Sequence, residues 1–131
     1  MQHLHTFAKN EHLCSKILID KLFSEGNKGI SGFPVRVTWL TMPADALQDN
    51  QILIVAPKKK FHHAVDRNRV KRQLRELFRL HKQPLYDALA SRNMHMALAL
   101  VFSDDRLWSS DQLELRIVRI IEKLTDSVLA D

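Results

Sequence analysis

Residues 57–82 read PKKKFHHAVDRNRVKRQLRELFRLHK, and this stretch sets the terms for the whole chain. Lys58, Lys59, Lys60, Arg67, Arg69, Lys71, Arg72, Arg75, Arg79 and Lys82 stand against only Asp66 and Glu76. Ten bases against two acids leave +8 here, within a total formal charge of +5, so everything else carries −3. The positive charge is therefore local. No Gly or Pro falls between residues 64 and 80, and Arg, Lys, Leu and Gln favour helix. At 3.6 residues per turn, Val70, Leu74, Leu77 and Phe78 make one apolar stripe. Asn68, Lys71, Arg72, Arg75, Arg79 and Lys82 make a neighbouring arc, with Arg67 between the two. Arg72 can reach Glu76 one turn on, but most of the bases have no acid within helical reach. Like charges gathered on one face repel, and a helix does not need them to fold. They make sense when an external polyanion completes them. A solvated basic face is the plain alternative; density and one-sidedness favour nucleic acid. Charge alone does not separate RNA from DNA.

Composition sets the outer bounds. A chain of 131 residues with 45% hydrophobic content has length for one domain with a real core. A pI near 9.6 suits a polyanion partner. One cysteine, Cys14, builds no internal disulfide and suits a reducing compartment. The longest apolar runs, around residues 52–56 and 94–102, are too short to span a bilayer. The first residues lack the apolar core of a signal peptide.

In chain order, residues 1–8 read as irregular. Asn10 can cap a helix over residues 10–26, with Leu13, Ile17, Leu18 and Leu22 at helical spacing and Gly26 as its stop. Residues 27–32 read as a Gly-rich connection. Residues 35–40 read as a strand in which Val35, Val37 and Trp39 alternate with Arg36 and Thr38. Residues 43–50 form an acidic turn region. Residues 51–56 are apolar on both sides, which predicts a central strand joined to the first by a hairpin. The basic helix follows. Pro84 interrupts it, residues 85–91 form a short helix, and residues 94–102 form a strand. Ser110 or Asp111 caps a last helix with Leu113, Ile117, Ile120, Ile121 and Leu124 on its buried side. The predicted fold is an α+β, two-layer sandwich, helix–strand–strand–helix–strand–helix, with one small sheet.

The pair Lys58-Lys59, the run from Ala64 to Arg72 (AVDRNRVKR) and the pair Arg75-Glu76 closely resemble the signature of the protein subunit of bacterial ribonuclease P. The triplet Arg67-Asn68-Arg69 is that family's hallmark; its setting after a strand, a lysine pair and an Ala-Val makes it specific. The resemblance runs from about residue 9 to residue 124. It implies a small extra strand and a left-handed β-α-β crossover through the basic helix, where general statistics favour a right-handed one. It implies that Lys58, Lys59, Lys60, Arg67, Asn68, Arg69, Lys71, Arg72, Arg75 and Arg79 bind RNA. It also implies a cleft between the first helix and the sheet that holds the 5′ leader of precursor tRNA. Phe23 matches one aromatic cleft position; Ile19 stands at the other, a departure from the family, and Arg36 or Trp39 comes from the strand. Related sequences often carry a glycine in the loop that here reads Phe61-His62-His63.

The chain shows no self-sufficient active site. His62 and His63 are adjacent and point different ways; His3 and His5 have no Cys or second His at zinc-ligand spacing. Cys14 sits among Leu13, Ile17 and Leu18, as a small core residue does. Asp104-Asp105 is the one tight acid pair, and no third metal ligand accompanies it. No Gly-rich phosphate loop is present. This agrees with what the resemblance implies: the RNA subunit is the catalyst, and the protein binds that RNA and precursor tRNA in the cytoplasm, with Mg²⁺ at the RNA interface. Three other readings remain. They are a structural RNA-binding protein of ribosomal type, a DNA-binding module with the basic helix in a major groove, and a nuclease complete in itself.

Overall fold

Alternation along one strand decides how the molecule is layered. In the computed structural model, which describes residues 16–24, 28–47 and 49–130, the elements are α1 (Lys16–Leu22), β1 (Lys28–Gly32), β2 (Val35–Pro43), β3 (Gln51–Val55), α2 (Ala64–His81), α3 (Gln83–Ser91), β4 (Met94–Phe102) and α4 (Ser110–Ala130). Along β2, Val35, Val37 and Trp39 are buried while Arg36 is exposed. β2 pairs antiparallel with β4, setting Val37 opposite Leu100 and Trp39 opposite Leu98. Because side chains alternate across a strand, Met96, Leu98, Leu100 and Phe102 join Trp39 on one face, and Ala97 and Ala99 look to the other.

The first face carries the main core. Val70, Leu74, Leu77 and Phe78 of α2, Leu85, Ala88 and Leu89 of α3, and Leu113, Ile117, Ile120, Ile121, Leu124 and Val128 of α4 pack there. The four buried residues of α2 are the four of its predicted stripe. The second face is covered by α1. Leu22, fully buried, meets Ala97, Ala99 and Leu47, with Leu18, Ile19, Leu40, Met42 and Leu53 partly buried around them. Ile17, counted in the apolar spacing of the first helix, instead points outward at 73% exposure. The readings for residues 1–8, Asn10, Leu13, Cys14 and Gly26 lie outside the described residues.

Three expectations about the sheet are corrected. The Gly-rich connection over residues 27–32 contains β1, paired with β2 from Lys28↔Trp39 to Gly32↔Val35; this is the extra strand. A Cβ on Gly32 would stand 3.2 Å from Ile120 Cγ1, so glycine is what lets β1 run this close to α4. Second, β2 and β3 form no hairpin. The strand order is β1-β2-β4-β3, with β4 inserted between them and parallel to β3. Third, β3 is therefore an edge strand. It is apolar on both faces because Ile52 and Ile54 meet the main core while Leu53 meets the α1 side.

The helix ends follow local chemistry. Pro84 stands in the first turn of α3, where its missing N–H costs nothing. α3 stops at Asn93, whose φ of 54° is the left-handed conformation that asparagine tolerates. The cap of α4 is Ser109, not Ser110 or Asp111. Ser109 Oγ accepts from Gln112 N (3.2 Å), and Gln112 Oε1 accepts from Ser109 N (3.4 Å). That reciprocal pair is a capping box.

Candidate nucleic-acid interface

The basic face is built from the loop before α2 and the outer side of that helix. Asn68, Arg69, Arg72 and Arg75 are exposed, on the side away from Val70, Leu74, Leu77 and Phe78. Lys71 and Arg79 are half-buried on the flanks, as is Lys60 in the loop; Lys58 and Lys59 are exposed. Among the described residues, no ion pair is formed by Lys58, Lys59, Arg69, Arg72 or Arg75. Their charge is left for a partner to meet.

Glu76 pairs with Arg79 rather than with Arg72. Arg79 Nε donates to Glu76 Oε2 at 3.1 Å, and Arg79 Nη2 holds Oε1. The hydrogen bond from Arg79 holds the Glu76 carboxyl below its ordinary range and pushes the Arg79 guanidinium above its own. Arg79 thus brings less uncompensated charge than its neighbours. Lys82 leaves the arc altogether. It is only 2% exposed, at the junction of α2 and α3, with Nζ 5.1 Å from the centre of the Tyr86 ring.

Arg67 has a local task. Its Nη1 donates to the carbonyls of Phe61 (2.8 Å) and His62 (3.0 Å). Phe61 is buried, its ring 5.8 Å from that of Phe102. Lys60 N and Phe61 N both donate to Pro57 O, at 3.1 and 3.3 Å. The loop is thus fixed by an aromatic anchor below and by Arg67 above. Lys58, Lys59, His62 and His63 are exposed along it, and it holds this form without a glycine. His63 makes no side-chain cap to α2, and Arg67 supplies the rigidity instead.

The predicted cleft residues divide between the two faces of the sheet. Arg36 is exposed on the α1 side, in a row with Val101 and Val55. Ile19 is half-buried on that side, and Phe23, just past the end of α1, is 52% exposed. Beside that row, Thr38, Ala99 and Leu53 lie on the same face of the sheet, Ala99 fully buried in the cluster beneath α1. Trp39 is not part of it. It is 6% exposed and packs into the main core on the opposite face, three residues from Arg36 and hence of the other parity.

The carboxylate of Asp104 is engaged within the protein. The Asp104 carboxylate accepts from Trp108 Nε1 (2.8 Å) and Asp105 N (2.7 Å), and Arg106 Nε lies 3.5 Å away. The Trp108 bond, then Asp105 N and Arg106, hold this buried carboxyl below its usual range against the cost of burial. His81 Nε2 meets Glu114 Oε2 at 2.8 Å between α2 and α4. Among the described residues, no three His, Cys, Asp or Glu side chains are grouped to hold a metal ion. The sequence reading passed over Trp108, Phe33 and Arg116, which gather at one exposed corner: Phe33 is T-shaped to Trp108 at 5.9 Å, and the Arg116 guanidinium lies 5.8 Å from the Trp108 ring centre. A lone Trp in a polar loop was the one signal for them.

Comparison with known proteins gives a consistent result. Residues 7–120 match the family model described as Ribonuclease P. A ribonuclease P protein component from Porphyromonas gingivalis is 35% identical over 100 residues, covering 76% of this chain and 72% of the relative. One from Chlorobaculum tepidum is 36% identical over 88 residues, covering 66% and 57%. The solved RNase P protein of Staphylococcus aureus shares the fold with a TM-score of 0.58 at 18% identity, over 89% of this chain and 94% of that one.

Proposed function

The chain belongs to the ribonuclease P protein family, and from that premise we propose how its surface serves the enzyme. It is the protein component of an endoribonuclease whose catalytic centre lies in RNA. No described helix is long and apolar enough to cross a membrane. Lys58, Lys59, Lys60, Asn68, Arg69, Lys71, Arg72 and Arg75 bind the RNA subunit, with Arg79 at the margin. Arg67 holds the loop that carries the lysines. Phe23, Ile19 and Arg36 line a cleft on the α1 side for the single-stranded 5′ leader of precursor tRNA, where an aromatic ring stacks on a base without reading much sequence. The work is done in the cytoplasm.

The observation that carries this reading is the exposed Arg69, Arg72 and Arg75 on the outer side of α2, which form no ion pair among the described residues. Neutralising phosphates lets two polyanions, the RNA subunit and the substrate, approach. Asn68 donates and accepts at an RNA backbone. Mg²⁺ acts at the RNA interface, where neutralised phosphates let it occupy its sites between the two RNAs. No side chain of this protein acts as general acid, base or nucleophile. The test is reconstitution with ribonuclease P RNA and a precursor tRNA at low Mg²⁺. Leader removal that needs the protein at low Mg²⁺ supports the reading. Cleavage by the protein alone, free of RNA, overturns it.

A further inference from the structure

The corner formed by Phe33, Trp108 and Arg116 has no part in the function described so far. It is also the strongest aromatic feature left at the surface. Trp108 is held from three directions. Its indole N–H is fixed on Asp104, its carbonyl accepts from Gln73 Nε2 of α2 at 2.9 Å, and its ring lies partly buried against the main core. Beside it Phe33 is 52% exposed and Leu107 41% exposed. Arg116 lies over the Trp108 ring, and Arg119 stands one turn further along α4; neither forms an ion pair among the described residues. The Arg106 side chain is 76% exposed nearby. A groove of about 810 Å³ opens from Trp108 along α4; Arg116 and Arg119 line it together with Gln112, Leu115 and the carboxylates of Glu114 and Glu122.

We propose that this corner is a second RNA contact, a stacking platform on which an unpaired nucleobase of the ribonuclease P RNA rests against Arg116 and the Trp108–Phe33 pair. The proposal rests on α2 being the RNA-binding face. A guanidinium lying on an aromatic ring leaves its other face open, and that planar face takes a base as an aromatic ring does. Arg119 then stands where a phosphate beside that nucleotide needs counter-charge, while Arg106 is ion-paired with Asp104. Position favours RNA over a protein partner. Gln73, which holds the Trp108 carbonyl, lies one helical turn beyond Arg69 on the same side of α2, so the corner abuts the Arg69 edge of the basic face. Position also favours the RNA subunit over the substrate leader. Trp108 packs on the helix side of the sheet, whereas Phe23, Ile19 and Arg36 belong to the α1 side.

The experiment measures the affinity of full-length protein for ribonuclease P RNA alone, with Arg116→Ala, Arg116→Lys, Trp108→Leu and the triple change Arg69→Ala, Arg72→Ala, Arg75→Ala. Melting curves confirm folding, and Arg116, being exposed, gives a readout even if Trp108→Leu fails to fold. A lost stack weakens binding by about 5- to 150-fold. Arg116→Ala should do so, Arg116→Lys should not restore it, and Trp108→Leu should keep the wild-type salt slope because no phosphate contact is lost. RNA carrying 4-thiouridine should crosslink to the Phe33 or Trp108 peptides without precursor tRNA present. Wild-type affinity for Arg116→Lys reduces the residue to a counter-charge and overturns the stacking proposal. Wild-type affinity for every corner variant, beside a weakened triple variant, overturns the proposal and leaves the α2 reading intact. An unweakened triple variant overturns the α2 reading itself. A crosslink seen only with precursor tRNA assigns the corner to the substrate and overturns the proposal as well.

Discussion

The sharpest test of the basic face is to remove Arg69, Arg72 and Arg75 together. All three are exposed and none forms an ion pair among the described residues, so their replacement by Ala breaks no ion pair there. The buried stripe of α2 is untouched, Ala is the best helix former, and mutual repulsion falls. Stability should therefore stay within about 0.5 kcal/mol of wild type per site. RNA binding should respond quite differently. If each arginine meets one phosphate, the slope of log affinity against log salt falls by about 0.7–0.9 per residue, or roughly 2.1–2.7 for three. Over a fourfold rise in salt, wild-type affinity then drops about 20- to 40-fold more than that of the variant. The assay is binding to ribonuclease P RNA across a salt series, with circular dichroism for the fold. An unchanged slope in a folded variant would remove this side of α2 from the interface. A collapsed helix would show that the arginines support the fold, contrary to the structure.

Four further outcomes follow from the geometry. Arg67→Ala leaves the Phe61 and His62 carbonyls without their donor. It should loosen the lysine loop and weaken RNA binding, and cleavage should recover as Mg²⁺ is raised; a defect that persists at saturating Mg²⁺ and RNA would put the protein in the chemical step. Phe23→Ala should weaken binding of precursor tRNA by about 1–3 kcal/mol while sparing mature tRNA; equal losses for both substrates, or a lowered melting temperature, would make Phe23 a packing residue. The Asp104 carboxyl has a lowered pKa in the folded state, so its stabilisation is present above the unfolded value of about 3.9 and is lost as pH falls through the folded one. Urea unfolding of Asp104→Asn from neutral to acid pH should show a flatter acid limb than wild type, and an unaltered limb would refute that origin. Asn93→Val puts a β-branched side chain at a φ of 54° and should cost about 1–2 kcal/mol, whereas Asn93→Gly should cost little; equal melting temperatures for the two would show that the turn relaxes freely.

The sequence revealed most where a single element carried its own period. The 3.6-residue spacing in α2 named its four buried residues, and the spacing in α4 named five of six. β1 was hidden because Lys28–Gly32 contains two glycines and has little strand propensity of its own; pairing with β2 makes it a strand. The position of β3 was misjudged because apolar residues on both faces report coverage, not neighbours in the sheet. Arg36 or Trp39 was expected to reach the cleft from the strand; a spacing of three puts them on opposite faces, and Trp39 went to the main core because which face α1 covers is not written in the strand's own period. Lys82 was counted on a continuous helix, but the chain turns into α3 there and carries the residue inward. The Trp108 corner lay beyond reach, since it joins Phe33, Gln73 and Arg116 from three distant parts of the chain.

The place of β4 carries a consequence for how the protein is made. β4 supplies the only strand neighbour of β3 among the described residues, yet it lies some forty residues further along the chain, beyond α2 and α3. During synthesis the self-repelling helix emerges before the strand that completes the sheet beneath it. Until then Val70 and Leu74 have no finished core to cover, and the arginines stand on a scaffold still unset. Such non-local pairing is slow to close. A nascent chain is thus strongly cationic before it is selective, open to any passing polyanion. The partner RNA, by damping the repulsion in α2, should hasten docking of β4. Pulsed hydrogen exchange during refolding should show amides of β3 and α2 gaining protection together with those of β4, and sooner when RNA is present. Early protection of β3 ahead of β4 would break this link between strand order and assembly.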